Sequence, residues 1–246
     1  MSILPDVFLT AEWRYLALLN YRVSPEVLAQ YVPAGTELDE WRGGAYMSLV
    51  GFHFLNTRIF RIPVPLHQAF EEVNLRVYLR RRVGDEVRHG VRFIKEMVPA
   101  PVVTAAARLT FNEPYETRRM RHRIEAPHGS ASLMAEYSWQ QKKGWARLMV
   151  AGTGEPEYPS PDSGDGFFTD RPWGYGKHSD GSTIEYKVEH PRWRVWQSES
   201  HLLESEPGEI YGSALGEILQ RPPESAFLAD GSAVKVHLPM RIARGT

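Results

Sequence analysis

Residues 72–79 have the sequence EVNLRVYL, in which polar and aliphatic side chains alternate. Successive side chains of a β-strand point to opposite faces, so this segment predicts a strand with one entirely aliphatic face. The other face carries Glu72, Asn74, Arg76 and Tyr78. One interpretation is that the aliphatic face packs on a protein layer and the polar face lines an interior. The alternative is a polar face turned to solvent, as antiparallel sheets commonly have.

Most of the remaining segments also resemble strands, with turns rather than helices between them. Strands are predicted over residues 45–54, 91–97, 102–111, 133–140, 145–151, 184–188, 193–201 and 233–242. The segments 184–188 and 193–201 are expected to pair. Short helices are predicted after Ser24 and over residues 210–220. This succession favours a mainly β fold of the α+β kind, with an antiparallel sheet or barrel, in one domain over residues 1–246.

The composition argues against several classes of function. A net charge of −1 argues against a nucleic-acid partner or an anionic membrane. The absence of cysteine excludes disulfides, thiol nucleophiles and cysteine-ligated metals. The nine histidines form no metal-binding motif, so no metal or other cofactor is expected. No leader peptide and no apolar run of about 18 residues is present, which predicts a cytoplasmic protein.

Several segments together resemble a known family. They are residues 13–16 (WRYL), 21–26 (YRVSPE), 32–39 (VPAGTELD), 70–78 (FEEVNLRVY) and 103–115 (VTAAARLTFNEPY). The pattern resembles the YqjF-like family of uncharacterised bacterial proteins, which are distant relatives of acetoacetate decarboxylase. The resemblance covers most of the chain and is clearest over residues 8–125. It implies a cone-shaped, closed antiparallel β-barrel with a few peripheral helices and a central cavity.

The resemblance to the decarboxylase breaks at the nucleophile. That enzyme forms a Schiff base with a desolvated lysine, which directly follows a proline after an Ala/Gly-Arg strand. Here residues 106–108 (AAR) match the strand and Pro114 matches the proline, but Tyr115 and Glu116 follow. Neither side chain forms an imine. The resemblance therefore implies the decarboxylase cavity without the decarboxylase reaction.

Lys95 is the best substitute for the missing nucleophile among the six lysines. It is expected to share a strand face with Val91 and Phe93, which would direct it to the interior. The alternative is an exposed or structural lysine.

The resemblance implies that other cavity residues are present. Arg14 stands where the family has a pocket arginine, and Glu72 where it has a pocket glutamate. A second pocket acid has no counterpart, because residues 45–54 contain no acid. Since guanidinium groups bind carboxylates through paired hydrogen bonds, we expect a ligand-binding set of Arg14, Glu72, Asn74, Arg76 and Arg108.

Three functions remain open from the sequence. The first is a binding barrel for a small organic acid or carbonyl compound. The second is a lyase, isomerase or hydrolase in which Tyr115, Glu116 and Glu72 move protons. The third is a structural or partner-binding protein with a filled interior. An enzyme needs a pocket acid whose pKa is shifted toward neutrality, whereas a receptor needs only complementary charge. The resemblance also favours a homo-oligomer.

Overall fold

The computed structural model describes residues 6–65, 67–126, 132–178 and 180–242. The strands are β1 (Val7–Val23), β2 (Glu37–Leu38), β3 (Ala45–Ile59), β4 (Ile62–Pro63), β5 (Phe70–Val83), β6 (Glu86–Val98), β7 (Tyr115–Thr117), β8 (Met120–Glu125), β9 (Leu133–Gln141), β10 (Gly144–Gly152), β11 (Trp173–Lys177), β12 (Thr183–Glu189), β13 (Val195–Glu204), β14 (Ser225–His237) and β15 (Met240–Ile242). The helices are α1 (Pro25–Leu28), α2 (Pro101–Phe111), α3 (Gly164–Thr169) and α4 (Gly208–Leu219).

Strands from across the chain close into a ring. Their hydrogen-bonded order is β12–β11–β6–β5–β3–β1–β14, and β14 pairs again with β12 through Val188–Val236 and Glu189–Lys235. From β14 the sheet continues through β13, β10, β9 and β8. Most pairs are antiparallel, and β6 pairs in parallel with β7 and β11. The predicted mainly β fold, with a closed and largely antiparallel sheet, is confirmed.

The two faces of β5 pack against different parts of the protein. Val73, Leu75 and Val77 are fully buried in a cluster with side chains of β9 and β10, outside the ring. Glu72, Asn74 and Arg76 are also buried, and they face the interior of the ring. The expected alternation is therefore confirmed, and the alternative of a solvent-facing polar face is wrong.

A β-bulge interrupts the alternation of β6. Leu75 pairs with Lys95 and Arg76 with Phe93, so Ile94 is the additional residue on β6. An extra residue moves every later side chain of a strand to the opposite face. Phe93 faces the interior and is followed there by Glu96, whereas Lys95 lies on the outside. The expectation that Lys95 shares a face with Phe93 is wrong for this reason.

The strand predicted over residues 102–111 is the helix α2. Pro101 occupies its first turn, where the missing N–H of proline costs nothing. Residues 105–107 are three alanines, which have the highest helix propensity. Asn112 ends the helix in the left-handed conformation, with φ 51°. Residues 106–108, which were matched to a strand of the decarboxylase, therefore lie in a helix, and that match is wrong.

Several smaller predictions have mixed outcomes. The helices expected after Ser24 and over residues 210–220 are confirmed as α1 and α4, and the hairpin of β9 with β10 is confirmed. The predicted pairing of 184–188 with 193–201 is wrong. β12 pairs with β11, β14 and β15, and β13 pairs with β10 and β14. Within the described residues, no helix has the length and apolar character needed to span a membrane.

Candidate functional site

A cavity lies inside the ring, and each of the seven ring strands contributes to its wall. The space open to the centre of a water molecule is ≈ 100 Å³. A single water needs roughly 10–15 Å³ by this measure, so the cavity has room for a small organic molecule. The interior is therefore not filled by side chains, which contradicts the structural hypothesis. Most of the wall is apolar, including Phe8, Trp13, Phe52, Phe54, Phe93, Trp173 and Trp193.

Glu72 is the central polar group of the cavity. Its Oε1 accepts a hydrogen bond of 2.9 Å from Nδ2 of Asn74, and its Oε2 accepts one of 2.9 Å from the Tyr115 hydroxyl. Burial raises the pKa of Glu72 to about 7, against the lowering effect of both hydrogen bonds and of the Arg76 charge. A carboxyl with this pKa exchanges protons readily at neutral pH, which suits a general base.

Two further acids lie in the cavity wall. Tyr186 donates a hydrogen bond of 3.0 Å to Oε1 of Glu113, and burial raises the pKa of Glu113 to about 8. Burial, together with the charges of Glu113 and Glu72, raises the pKa of Glu96 well above its ordinary value. Burial also raises the pKa of Tyr115 far above 10, so its phenol stays neutral. At neutral pH the cavity thus combines one carboxyl near its titration point with neutral proton donors.

Three polar atoms in the wall lack a hydrogen-bond partner among the described residues. They are Oδ1 of Asn74, Oε2 of Glu96 and Nε1 of Trp13. Asn74 and Glu96 are direct neighbours in the pairing of β5 with β6. A buried polar group without a partner costs about 1–3 kcal/mol, which a ligand with matching groups recovers.

Two arginines also line the cavity. Arg171 forms an ion pair with Asp39, which also accepts a hydrogen bond of 2.7 Å from His89. Arg76 donates from Nη2 to the carbonyl oxygen of Phe168 at 2.9 Å and from Nε to the Tyr78 hydroxyl at 3.3 Å. Within the described residues, Arg76 has no carboxylate within 4.0 Å. Arg76 is therefore the guanidinium whose charge is available to a ligand.

The structure places two expected ligand-binding arginines outside the cavity. The Arg14 guanidinium lies 2.6 Å from Oε2 of Glu12 and is about one third exposed, while its neighbour Trp13 points into the cavity. Arg108 is exposed on α2 and donates from Nε to the carbonyl oxygen of Tyr115 at 2.8 Å. The expectation that Arg14 and Arg108 converge on Glu72 is wrong.

Glu116 also lies outside the cavity, although it directly follows Tyr115. Its carboxylate is 3.0 Å from Nζ of Lys95 and 2.8 Å from Nη2 of Arg118. Burial raises the pKa of Glu116, but the hydrogen bonds and charges of Lys95 and Arg118 outweigh this and hold the pKa below its usual range. Glu116 is therefore an ionised structural partner, which corrects its expected catalytic role.

Two acids of the site, Glu96 and Glu113, were not predicted from the sequence. Glu96 faces the cavity only because of the bulge at Ile94. The residues around Ile94 contain no pattern that predicts this bulge. Glu113 lies between α2 and β7, where no alternation reveals the direction of a side chain. His190 and Trp193 also line the cavity, and their rings stack with centroids 4.4 Å apart.

The six lysines all fall within the described residues, and none lines the cavity. Across the same described ranges, no group of three histidine, aspartate or glutamate side chains could hold a metal ion.

Comparison with protein families gives a match over residues 10–233 to DUF2071, which is described as an uncharacterised conserved protein. The chain belongs to this family. The uncharacterised protein YqjF of Bacillus subtilis (strain 168) is 31% identical over 104 residues, which are 42% of this chain and 41% of YqjF. The match thus spans less than half of that relative.

Solved structures with the same fold are more distant in sequence. An acetoacetate decarboxylase-like enzyme from Sphingomonas wittichii RW1 superimposes with a TM-score of 0.68 at 15% identity, over 98% of this chain and 95% of that enzyme. The enduracididine biosynthesis enzyme MppR, complexed with pyruvate, gives a TM-score of 0.67 at 10% identity, over 99% of this chain and 93% of MppR. At these identities the similarity establishes the fold alone. The expected relation to the decarboxylase fold is confirmed.

Proposed function

We propose that this DUF2071 protein binds a small oxo acid in the ring cavity and catalyses proton transfer at the carbon next to the carbonyl. The reaction class is that of an isomerase or a lyase, and no Schiff base is formed. The observation that carries the proposal is Glu72, whose pKa of about 7 and two fixed hydrogen bonds suit it to act as a general base.

Charge and size support a small carboxylate as the ligand. Arg76 is buried and lacks a carboxylate partner among the described residues, so an anionic group of the ligand would match its charge. The unpartnered indole N–H of Trp13 is a second donor for an acceptor oxygen. MppR, which shares the fold, is complexed with pyruvate, and this supports an oxo acid as the class of ligand.

The proposed reaction begins when Glu72 takes a proton from the carbon beside the carbonyl. The electron pair of that C–H bond forms a carbon–carbon double bond, and the carbonyl oxygen becomes an oxyanion. A protonated Glu72 is a weaker hydrogen-bond acceptor than the oxyanion. The Tyr115 hydroxyl, which donates to ionised Glu72, then donates to the oxyanion instead. In an oxo acid with a second carbon–carbon double bond in conjugation, return of the proton to the far end of the conjugated system completes an isomerisation. Loss of a leaving group from the next carbon completes an elimination.

The absence of lysine from the cavity wall supports a route without an imine. Borohydride reduction in the presence of acetoacetate should therefore leave the mass of the protein unchanged. A reduced adduct on Lys95 would contradict this route and restore Schiff-base chemistry.

Proton exchange tests the function directly. Pyruvate and 2-oxobutanoate are incubated with the protein in D₂O, and loss of the proton signal beside the carbonyl is followed by NMR. We expect catalysed exchange, and Glu72→Gln should slow it by roughly 10²–10⁴-fold because the base is removed. Glu116→Gln is the matched control, since it removes an acid outside the cavity.

Two results would contradict the proposed catalytic function. Equal exchange rates in Glu72→Gln and the wild type would remove Glu72 from the reaction. Saturable binding of these acids without exchange would leave a receptor, the first of the hypotheses drawn from the sequence.

A further inference from the structure

The side of the cavity formed by β5 and β6 presents acceptors that nothing in the described chain satisfies. Oδ1 of Asn74 and Oε2 of Glu96 come from paired positions on adjacent strands, and both residues are only 2% exposed. The amide nitrogen of Asn74 is already committed to Glu72, which fixes its oxygen as the free atom. A ligand that fills this space satisfies Asn74 only with a hydrogen-bond donor, and it satisfies Glu96 with a donor once that carboxyl is ionised.

The charges of the wall indicate what kind of donor is needed. Glu72, Glu96 and Glu113 are three carboxyls of the wall. The positive charges of Arg76 and Arg92 act on Glu72 and Glu113, respectively, whereas the charges that act on Glu96 are those of Glu113 and Glu72. Arg171 is matched by Asp39 and does not offset them. Two neutral tyrosines face the acids. Tyr115 donates to Glu72 and Tyr186 to Glu113, and hydrogen bonding by Tyr115 also lowers the pKa of Glu96 without outweighing burial. If the acids ionise, negative charge exceeds positive charge, and buried charges of this kind need a counter-ion.

We propose that the ligand carries a protonated amine, which donates to Glu96 and Asn74, in addition to the carboxylate bound by Arg76. The ligand class is thus a small oxo acid that also carries an amine, and amino-substituted carboxylic acids serve as probes of the amine. This inference rests on the proposed function, because it assigns a second group of the same ligand in the same cavity.

Binding of the amine is coupled to release of a proton. In the empty cavity Glu96 holds its proton, because burial and the neighbouring acids oppose its ionisation. An ammonium group beside Oε2 reverses that balance, so Glu96 gives its proton to the buffer and its carboxylate pairs with the ligand. A ligand with a neutral donor leaves Glu96 protonated and releases nothing.

Isothermal titration calorimetry at pH 7 measures both affinity and proton release. Amino acids with the amine at the chain end, from 3-aminopropanoate to 6-aminohexanoate, are compared with the matching acids that lack the amine. Each titration is repeated in two buffers of different ionisation enthalpy, which gives the number of protons released. We expect at least one amino acid to bind about tenfold or more tightly than its matched acid, the ratio typical of a charged hydrogen bond, and to release about one proton.

Variants locate the effect. Glu96→Gln should abolish both the preference for the amine over the matched acid and the proton release. Glu116→Gln should change neither quantity. The proton count of the wild type needs no variant, so a Glu96→Gln protein that fails to fold does not prevent the test.

The failures of the two proposals are distinguishable. Equal affinity for amino acids and their matched acids would overturn only the proposal that the ligand carries an amine. Binding of the amine without proton release would have the same meaning. In both cases proton exchange on oxo acids would still be observed. Retention of the preference in Glu96→Gln would also overturn the proposal of an amine. Absence of all binding together with absence of exchange would overturn both.

Discussion

Glu71 and Glu72 stand side by side on β5, and the alternation of the strand sends one carboxyl to the outer face of the ring and the other into the cavity. On the outside, Glu71 lies 2.6 Å from Nδ1 of His122, whose ring contacts His53. Burial raises the pKa of Glu71, but the hydrogen bond and charge of His122 outweigh this and lower it. Inside, burial prevails and brings the pKa of Glu72 to about 7.

The same contrast recurs where β6 and β7 run together. Glu116 faces outward to Lys95 and Arg118, whereas Glu96 faces inward with one oxygen unpartnered among the described residues. Each of the two outward acids thus has a basic side chain within 3.0 Å, whereas among the described residues Glu72 and Glu96 have no ion pair within 4.0 Å. Two neighbouring residues of one strand can therefore differ in function because the partners on the two faces differ.

The largest effect expected from this contrast is on the pH profile of exchange. Glu72 acts as a base only when ionised, so the rate should fall as the pH drops below about 7. At pH 5 the rate should be about a hundredfold below its plateau, because each pH unit reduces the ionised fraction about tenfold. NMR exchange rates from pH 5 to 9 measure this. Glu71→Gln should leave the midpoint unchanged, and a shifted midpoint would mean that the two faces are not independent.

The next effect concerns stability and pH. The pKa of Glu113 is 4.5 as a free side chain and about 8 in the folded protein. Between these values the folded state holds a proton that the unfolded chain has released, so stability falls as the pH rises. The slope should approach about 1.4 kcal/mol per pH unit for one such carboxyl.

Urea unfolding between pH 5 and 8 measures this slope, and Glu113→Gln should reduce it. Glu71 provides the opposite case. Its pKa is lowered by folding, so it contributes stability that is lost only as the pH falls below 4.5. An unchanged slope in Glu113→Gln would contradict the buried, protonated state of this acid.

A smaller effect follows from replacing an acid by an apolar residue of similar size. Glu96→Met should raise the free energy of unfolding at pH 8 by about 1–3 kcal/mol, because it removes an unpartnered polar group from the interior. Glu116→Met should lower it by at most about 1 kcal/mol, since its ion pairs are partly exposed. A destabilised Glu96→Met would indicate that Glu96 has a partner in the folded protein.

The smallest effect is expected at Arg14. Its ion pair with Glu12 is partly exposed, so Arg14→Met should change the free energy of unfolding by at most about 1 kcal/mol. The affinity for carboxylic acids should not change. Arg76→Met should instead lower that affinity about tenfold or more, since it removes a charged hydrogen-bond donor. A loss of affinity in Arg14→Met would reinstate Arg14 as a ligand-binding residue.

The alternation of residues 72–79 predicted β5 and placed Glu72, Asn74 and Arg76 on one face, and the resemblance to the YqjF-like family directed that face inward. The alternation was informative because both faces of this strand are buried and the segment contains no bulge. The inward direction of Glu96 was not predictable in this way. A bulge depends on the register with the neighbouring strand, which the residues around Ile94 do not encode locally.

The placement of Arg14 failed for a related reason. The pairing of β1 with β3 shifts between Arg14 and Ala17, and Tyr15 adopts a positive φ of 56°. The strand predicted over residues 102–111 could have been recognised as a helix from the sequence, because Pro101 and three successive alanines favour a helix. The direction of Glu113 depends on how α2 docks on the ring, and that is a tertiary property.

The ring closes through strands that are far apart in the chain. β1 pairs with β3 on one edge and with β14 on the other. On a ribosome that adds roughly 5–20 residues per second, β14 follows β1 by about 200 residues, so the second edge of β1 waits about 10–40 s for its partner. During that time the nascent chain has an open sheet edge, a common site of aggregation. The growing chain therefore exposes the second edge of β1 to other strands until β14 has been synthesised.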